Sequence, residues 1–289
     1  MILKDKVAVI TGSGRGIGRG IAKLMAEEGA KVVVNDLGGA GDGTGSSRGP
    51  ADEVVEEIRA AGGTAVANYD SVATVEGGQR IIQTALDNFG RLDIVVNNAG
   101  ILRDRMIFNM TEEEWDAVIA VHLKGHFCVT KPASIIFRQQ RSGRIINFSS
   151  TSGLIGNAGQ ANYGAAKAGI AGFTRVIARD LGKYGVTANV IAPAAATRLV
   201  ATIPGVSLDS LPHPDDVAPM VVFLASDDAA NVNGQTFYVS GGIISLYSNP
   251  GPVKTITKNG RWTAEEIARI FPSTLGMELM NPAPVQIPR

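Results

Sequence analysis

Tyr163 and Lys167 stand four residues apart in Tyr-Gly-Ala-Ala-Lys, the spacing that stacks two side chains on one face of a helix. A free phenol titrates near pH 10 and accepts a proton poorly at neutral pH unless a neighbouring cation stabilises its phenolate. Lys167 could be that cation. Ser150, which closes an expected strand ahead of Tyr163, could hydrogen-bond the same substrate oxygen. A phenol, an ammonium and a hydroxyl so placed can move a proton to or from an alcohol or carbonyl. By itself a Tyr-x-x-x-Lys pair is more often a plain helix-surface pair, so its surroundings decide.

Those surroundings include Thr11-Gly12-Ser13-Gly14-Arg15-Gly16-Ile17-Gly18, which follows an expected strand and opens an expected helix. Gly12, Gly16 and Gly18 would let the backbone turn sharply and approach a pyrophosphate, while the helix N-terminus supplies unpaired N–H groups. Asp36 ends the next strand, where a carboxylate accepts hydrogen bonds from ribose hydroxyls and favours NAD. Its plainer role would be a turn cap. Arg15 could instead receive the 2′-phosphate of NADP. Asp36 repels that phosphate, and NAD is the expected cofactor.

Seven short apolar runs can position these residues: Val7 to Thr11, Lys31 to Asn35, Thr64 to Asn68, Ile94 to Asn97, Arg144 to Phe148, Thr187 to Ile191 and Thr236 to Val239. Helical patterns separate them, among them Arg15 to Glu28, Ala51 to Ala61, Val75 to Phe89, Thr111 to Gln140, Asn162 to Leu181 and Asp215 to Leu224. This alternation predicts an α/β fold of Rossmann type, a doubly wound seven-stranded parallel sheet with helices on both faces. The runs are continuously apolar, as strands covered on both sides should be. One catalytic domain is expected over residues 1–244. A glycine-rich loop, Gly38 to Pro50, interrupts the rhythm. An extension, 245–289, with a Thr263-x-x-Glu266 capping box is expected to pack on the domain or on a neighbouring subunit.

Equal counts of 27 basic and 27 acidic residues leave no electrostatic footprint for nucleic acid. No run approaches the length of a membrane span, Cys128 has no disulfide partner, and no leader pattern opens the chain. A cytoplasmic location is expected. His122, His126 and His213 are scattered and suggest no metal site.

Together the motifs resemble the short-chain dehydrogenase/reductase family over about Lys6 to Gly242. The pieces fall in its order: the Thr11 to Gly18 turn, Asp70 after the third strand, Asn97-Asn98-Ala99-Gly100, Ser150, Tyr163 with Lys167, and Pro193 after the sixth strand. Within the family the chain looks most like the (3R)-hydroxyacyl-CoA dehydrogenase unit of multifunctional enzyme type 2, also called 17β-hydroxysteroid dehydrogenase type 4, and its stand-alone bacterial relatives. The marks are Val34-Asn35-Asp36-Leu37-Gly38-Gly39, the insertion that follows, Ala67 to Val72 and the long tail.

The resemblance implies that Asp70 and Ser71 meet the adenine, that Asn98, Ala99 and Gly100 line the adenosine side, and that Lys167 also bonds the nicotinamide ribose. It implies hydride transfer between a secondary alcohol and NAD, with a 3-hydroxyacyl-CoA or a 17β-hydroxysteroid as substrate. A 3-oxoacyl-thioester (acyl-carrier-protein) reductase and a catalytically silent NAD-binding sensor stay open. Two positions depart from the common pattern. His122 replaces the usual helix Asn, as it does in the subgroup, where it would relay protons or simply pack. Ala194 replaces the Gly after Pro193, at the nicotinamide wall. Family members pair through their long helices, so a homodimer or homotetramer is expected.

Overall fold

The structure is a computed structural model and describes residues 1–202, 207–280 and 282–283. Its first half runs β1 (Val7–Thr11), α1 (Gly16–Glu27), β2 (Lys31–Asn35), α2 (Gly49–Ala60), β3 (Thr64–Asn68), α3 (Val75–Phe89), β4 (Ile94–Asn97) and α4 (Glu112–Ile119). A π-helical turn (Ala120–Lys124) leads into α5 (Gly125–Gln140), β5 (Gly143–Phe148), α6 (Thr151–Leu154) and α7 (Ala161–Gly182). The chain continues through β6 (Val186–Pro193), α8 (Ala218–Ala225), β7 (Thr236–Ser240), β8 (Ile243–Tyr247) and α9 (Ala264–Ile270). Most of the expected elements are present within two residues of their expected ends.

The sheet order is β3-β2-β1-β4-β5-β6-β7-β8. Pairing is parallel from β3 through β7. The expected count of seven is therefore corrected to eight: β8 pairs antiparallel with β7, Ser240 opposite Ile243. Gly241, at φ +55°, turns the chain back at once. A parallel eighth strand would need a crossover of a dozen residues or more, which the sequence does not supply there. The expected boundary at residue 244 falls inside β8, and the chain forms two compact units, Met1–Tyr247 and Ser248–Arg289. In the second unit Thr263 caps α9 and Glu266 reaches back to the Thr263 N–H, the expected capping box.

Two apolar layers sandwich the sheet. One joins Ile10, Val32, Val34 and Ile146 to α1, α2 and α8 through Ile21, Met25, Val54 and Val221. The other joins Val9, Val33, Val95 and Ile145 to α3, α5 and α7 through Ile81, Val129, Phe137 and Ile177. Alternate residues of one strand thus feed opposite layers, which is why the strands read as unbroken apolar runs.

The run from Thr111 to Gln140, expected as one helix, is broken into α4 and α5 by the π turn. Farther on, Pro132 lacks an N–H and leaves the Cys128 carbonyl without its helical donor. Gly78 of α3 packs there, where an added Cβ would lie 2.2 Å from that oxygen. Among the described residues no helix is long and apolar enough to cross a membrane, and no group of three His, Cys, Asp or Glu could hold a metal ion.

Candidate active site

Parallel register brings the C-terminal ends of β1 to β6 to one edge of the sheet, and the strand order reverses between β1 and β4. A crevice at that reversal is where a doubly wound sheet binds its ligand. Gly12 turns out of β1 at φ +64° and Gly16 enters α1 at φ +53°. A Cβ on Gly12 would lie 2.7 Å from the Ala99 Cα, and one on Gly18 would lie 2.3 Å from the Gly12 oxygen. Only glycine fits either position, so the turn is held tight against the chain leaving β4. Asn98 completes the seam, its amide donating to the carbonyls of Thr11 and Gly12 at 3.0 and 2.9 Å. The Thr11 hydroxyl accepts from Asn98 N and Ala99 N, both at 3.1 Å.

The residues at this edge fit a dinucleotide. No side chain caps α1, and its first turn holds no acidic residue, so its N–H groups and partial positive charge face the turn uncompensated. Asp36 stands beside it, accepting from Gly14 N at 2.8 Å and Gly38 N at 2.7 Å. Those bonds aim the carboxylate at the edge of the glycine turn. Asp70 is held by Arg80 at 2.6 Å and by Asn68 at 2.9 Å, while the Ser71 hydroxyl accepts from Ala73 N. Ile17 is the second residue of α1 and Pro193 closes β6, both half-buried.

On the other side of the reversal Ser150, Tyr163 and Lys167 converge. Ser150 ends the turn after β5 and caps α6, accepting from Ser152 N at 3.2 Å. Its hydroxyl hydrogen-bonds Tyr163, which lowers the phenol pKa, but burial outweighs this and the nearby Asp104 carboxylate adds to it, so the phenol is pushed up to about 12. Lys167 lies with its ammonium 5.4 Å from the Tyr163 ring centre. It donates to the Phe148 carbonyl at 2.6 Å, and burial pulls it down to about 7.

His122 stands edge-on to Tyr163, ring centres 5.1 Å apart. Its Nε2 meets both the N–H of Ile101 at 3.1 Å and the carbonyl of Ile101 at 2.8 Å, while Nδ1 is buried without a partner. Burial first, then the Lys167 charge, keeps the ring neutral, well below the ordinary histidine range. A Cβ on Gly100 would lie 2.4 Å from His122 Cε1, so the turn after β4 lies directly on this ring.

Three features were absent from the sequence reading. Asn162 fixes the start of α7, donating to the carbonyls of Arg103 and Glu114 at 2.9 and 3.0 Å. Buried Gln160 donates to Asp104 at 2.7 Å. Thr197 lies against the glycine turn, its methyl 3.9 Å from a Cβ built on Gly16. The first two contacts join segments far apart in sequence and leave no spacing signal; Thr197, four residues after Pro193, was within reach of a longer motif. The short segment Ala194 to Leu211, expected to give little lid, includes residues 203–206, which lie outside the described residues.

Lys167 also gives a pH dependence. A lysine whose folded pKa is depressed costs stability where both states are charged, and the cost is relieved as pH rises from the folded toward the unfolded pKa. Lys167→Met should therefore gain stability over the wild type most below about pH 7 and lose that advantage toward pH 10.5. Thermal melts of both proteins across that range check it; a constant offset would refute the burial of the charge.

The short chain dehydrogenase family model matches residues 6–203. The hydroxyacyl-CoA dehydrogenase ChsB1 of Mycobacterium tuberculosis is 45% identical over 92% of this chain and 87% of its own. The mouse peroxisomal multifunctional enzyme type 2 is 47% identical over 83% of this chain, which spans 32% of that enzyme. A 3-oxoacyl-[acyl-carrier-protein] reductase of Synechocystis is 44% identical over 84% of this chain and 98% of its own. The crystal structure of a short chain dehydrogenase from Mycobacterium avium superposes with a TM-score of 0.87 at 46% identity, covering 99% of both chains.

Proposed function

Because the chain belongs to the short-chain dehydrogenase family and is therefore an NAD(P)-dependent oxidoreductase, we propose that it interconverts a 3-hydroxyacyl-CoA and the 3-oxoacyl-CoA with NAD. The observation that carries the reaction type is the convergence of Ser150, Tyr163 and Lys167 at the strand-order reversal, beside the glycine turn. The acyl-CoA assignment is supported by the near full-length likeness to ChsB1. The likeness to the Synechocystis reductase favours acyl-carrier-protein thioesters as the second reading.

A bound nicotinamide supplies the hydride acceptor in oxidation and the donor in reduction. Tyr163 exchanges the proton at the substrate oxygen and Ser150 holds that oxygen by a hydrogen bond. With a phenol near 12, Tyr163 keeps its proton in the free chain and is set as the donor to a ketone. For alcohol oxidation the Lys167 ammonium must favour the phenolate. The Gly12 to Gly18 turn with Ile17 would hold the diphosphate, Asp36 the adenosine ribose, Asp70 with Ser71 the adenine, and Asn98 to Gly100 the adenosine side. Pro193 would stand at the nicotinamide, whose ribose Lys167 would bond, and His122 would pass protons onward.

The deciding experiment is a kcat/KM panel over acyl-CoA chain lengths, the matching carrier-protein thioesters and 17β-hydroxysteroids, with NAD and NADP. A chain truncated after Tyr247 belongs in the same panel. If the tail serves a bulky substrate, truncation should depress long-chain turnover or oligomer formation and spare NADH affinity. Preference for the carrier-protein thioester would replace the acyl-CoA reading, and a truncated chain equal to full length in both respects would reduce the tail to an appendage.

A further inference from the structure

The glycine-rich segment after β2 is ordered into a strap. Ser47 N bonds the Leu37 carbonyl at 3.0 Å and Ala40 N bonds that of Thr44 at 2.8 Å, closing the segment on itself. Its far side is tied to the chain beyond β4: Leu102 N donates to the Gly41 carbonyl at 3.0 Å and Arg103 Nε to that of Asp42 at 2.9 Å. Since β1 lies between β2 and β4 in the sheet, a strap joining the ends of those two strands passes over the end of β1, where the glycine turn lies.

Two guanidinium groups meet the strap at one atom. Arg15 Nη1 lies 3.4 Å from the Gly39 carbonyl oxygen, and Arg198 Nη1 and Nη2 each lie 3.3 Å from the same oxygen. These contacts are long for hydrogen bonds to a cation. Among the described residues, neither arginine is among those paired with a carboxylate. Arg198 starts from beside the glycine turn, because its neighbour Thr197 packs on Gly16. Its side chain therefore runs from the first residue of α1 up to the strap. Two full positive charges share one partial negative charge, above a helix N-terminus that nothing caps.

We propose that Arg198 is a clasp on the diphosphate of the dinucleotide, closing on it from the strap side while the N-terminus of α1 holds the other. This rests on the cofactor reading above. Both guanidinium groups meet Gly39, three residues past Asp36, so a 2′-phosphate is the competing anion. The diphosphate is favoured because Arg198 begins beside Gly16, where the diphosphate of a Rossmann turn lies, and because Asp36 repels a 2′-phosphate.

The test uses the full chain as wild type, Arg198→Ala and Arg198→Lys. NADH and NADPH binding are followed by fluorescence, ADP, AMP and 2′,5′-ADP by calorimetry. Losing one charge-assisted contact should weaken ADP and NADH about tenfold, AMP by less, and NADPH by the same factor as NADH. Arg198→Lys should recover part of the loss, and the salt dependence of NADH binding should flatten in Arg198→Ala. Arg198 is exposed, so melting temperatures should match. Unchanged ADP affinity would overturn the clasp, as would a loss confined to NADPH and 2′,5′-ADP. A wild type that binds none of these nucleotides would overturn the cofactor reading and the clasp together.

Discussion

Tyr163→Phe should lower kcat by about 10² to 10⁴, the usual scale for losing a general acid or base, and leave NADH affinity nearly unchanged. The substitution removes one oxygen. The ring that stands edge-on to His122 and beside Lys167 is kept, so packing and the lie of α7 should survive. What disappears is the group that Ser150 hydrogen-bonds and that would meet the substrate oxygen. Loss in kcat with preserved binding and an unchanged melting temperature would place the defect in the proton step. A variant keeping most of its activity would show that Tyr163 does not carry that step.

Asp36→Ala should shrink a preference of about 10² to 10³ for NAD over NADP from both sides. The carboxylate would grip the ribose diol and faces any 2′-phosphate with a like charge, a cost of a few kcal/mol when partly desolvated. It also receives the N–H groups of Gly14 and Gly38. Its loss would therefore loosen the glycine turn as well, which is a further reason for NAD to weaken. Asp36→Asn keeps an acceptor oxygen and removes only the charge, and should recover NADP without losing as much NAD. Arg15→Ala should widen the preference. kcat/KM with each cofactor measures all four proteins; a wild type faster with NADP at equal concentration would mean that Arg15 prevails over Asp36.

Much of this molecule is legible in the chain because burial on both faces leaves a plain mark. Val33 and Val34 point to opposite layers, and both must be apolar, so β2 reads as a strand without any partner in view. Many site residues were legible for a related reason: Gly12, Asp36, Asp70, Asn98, Ser150 and Pro193 lie within a few residues of a strand's end, and parallel register brings those ends together, while Tyr163 and Lys167 were legible from their spacing on one face of α7. β8 was missed because its residues are mostly exposed and carry no burial signature. In the sequence the strap shows only as a glycine-rich loop, because Gly41, Asp42 and Gly39 act through backbone carbonyls, which the side-chain alphabet does not spell out. Arg198 belongs to no motif of the sequence, and only its contact with the Gly39 carbonyl brings it to the site.

The π turn between α4 and α5 sets an unequal tolerance to mutation. Each residue of an α-helix advances about 100° around the axis, and the wider π turn already holds one residue more than an α turn would, so one residue added to Ala120–Lys124 would leave two sound helices but turn one against the other by more than a quarter circle. Val129, Ala133 and Phe137, all fully buried, would swing out of their layer, and His122 would leave Ile101. Substitutions along this stretch can be absorbed one side chain at a time. An added residue cannot, so gain of a single codon here should be far more damaging than most replacements, even though neither helix has lost its propensity to form, whereas a π turn can give up one residue and close into a regular α turn.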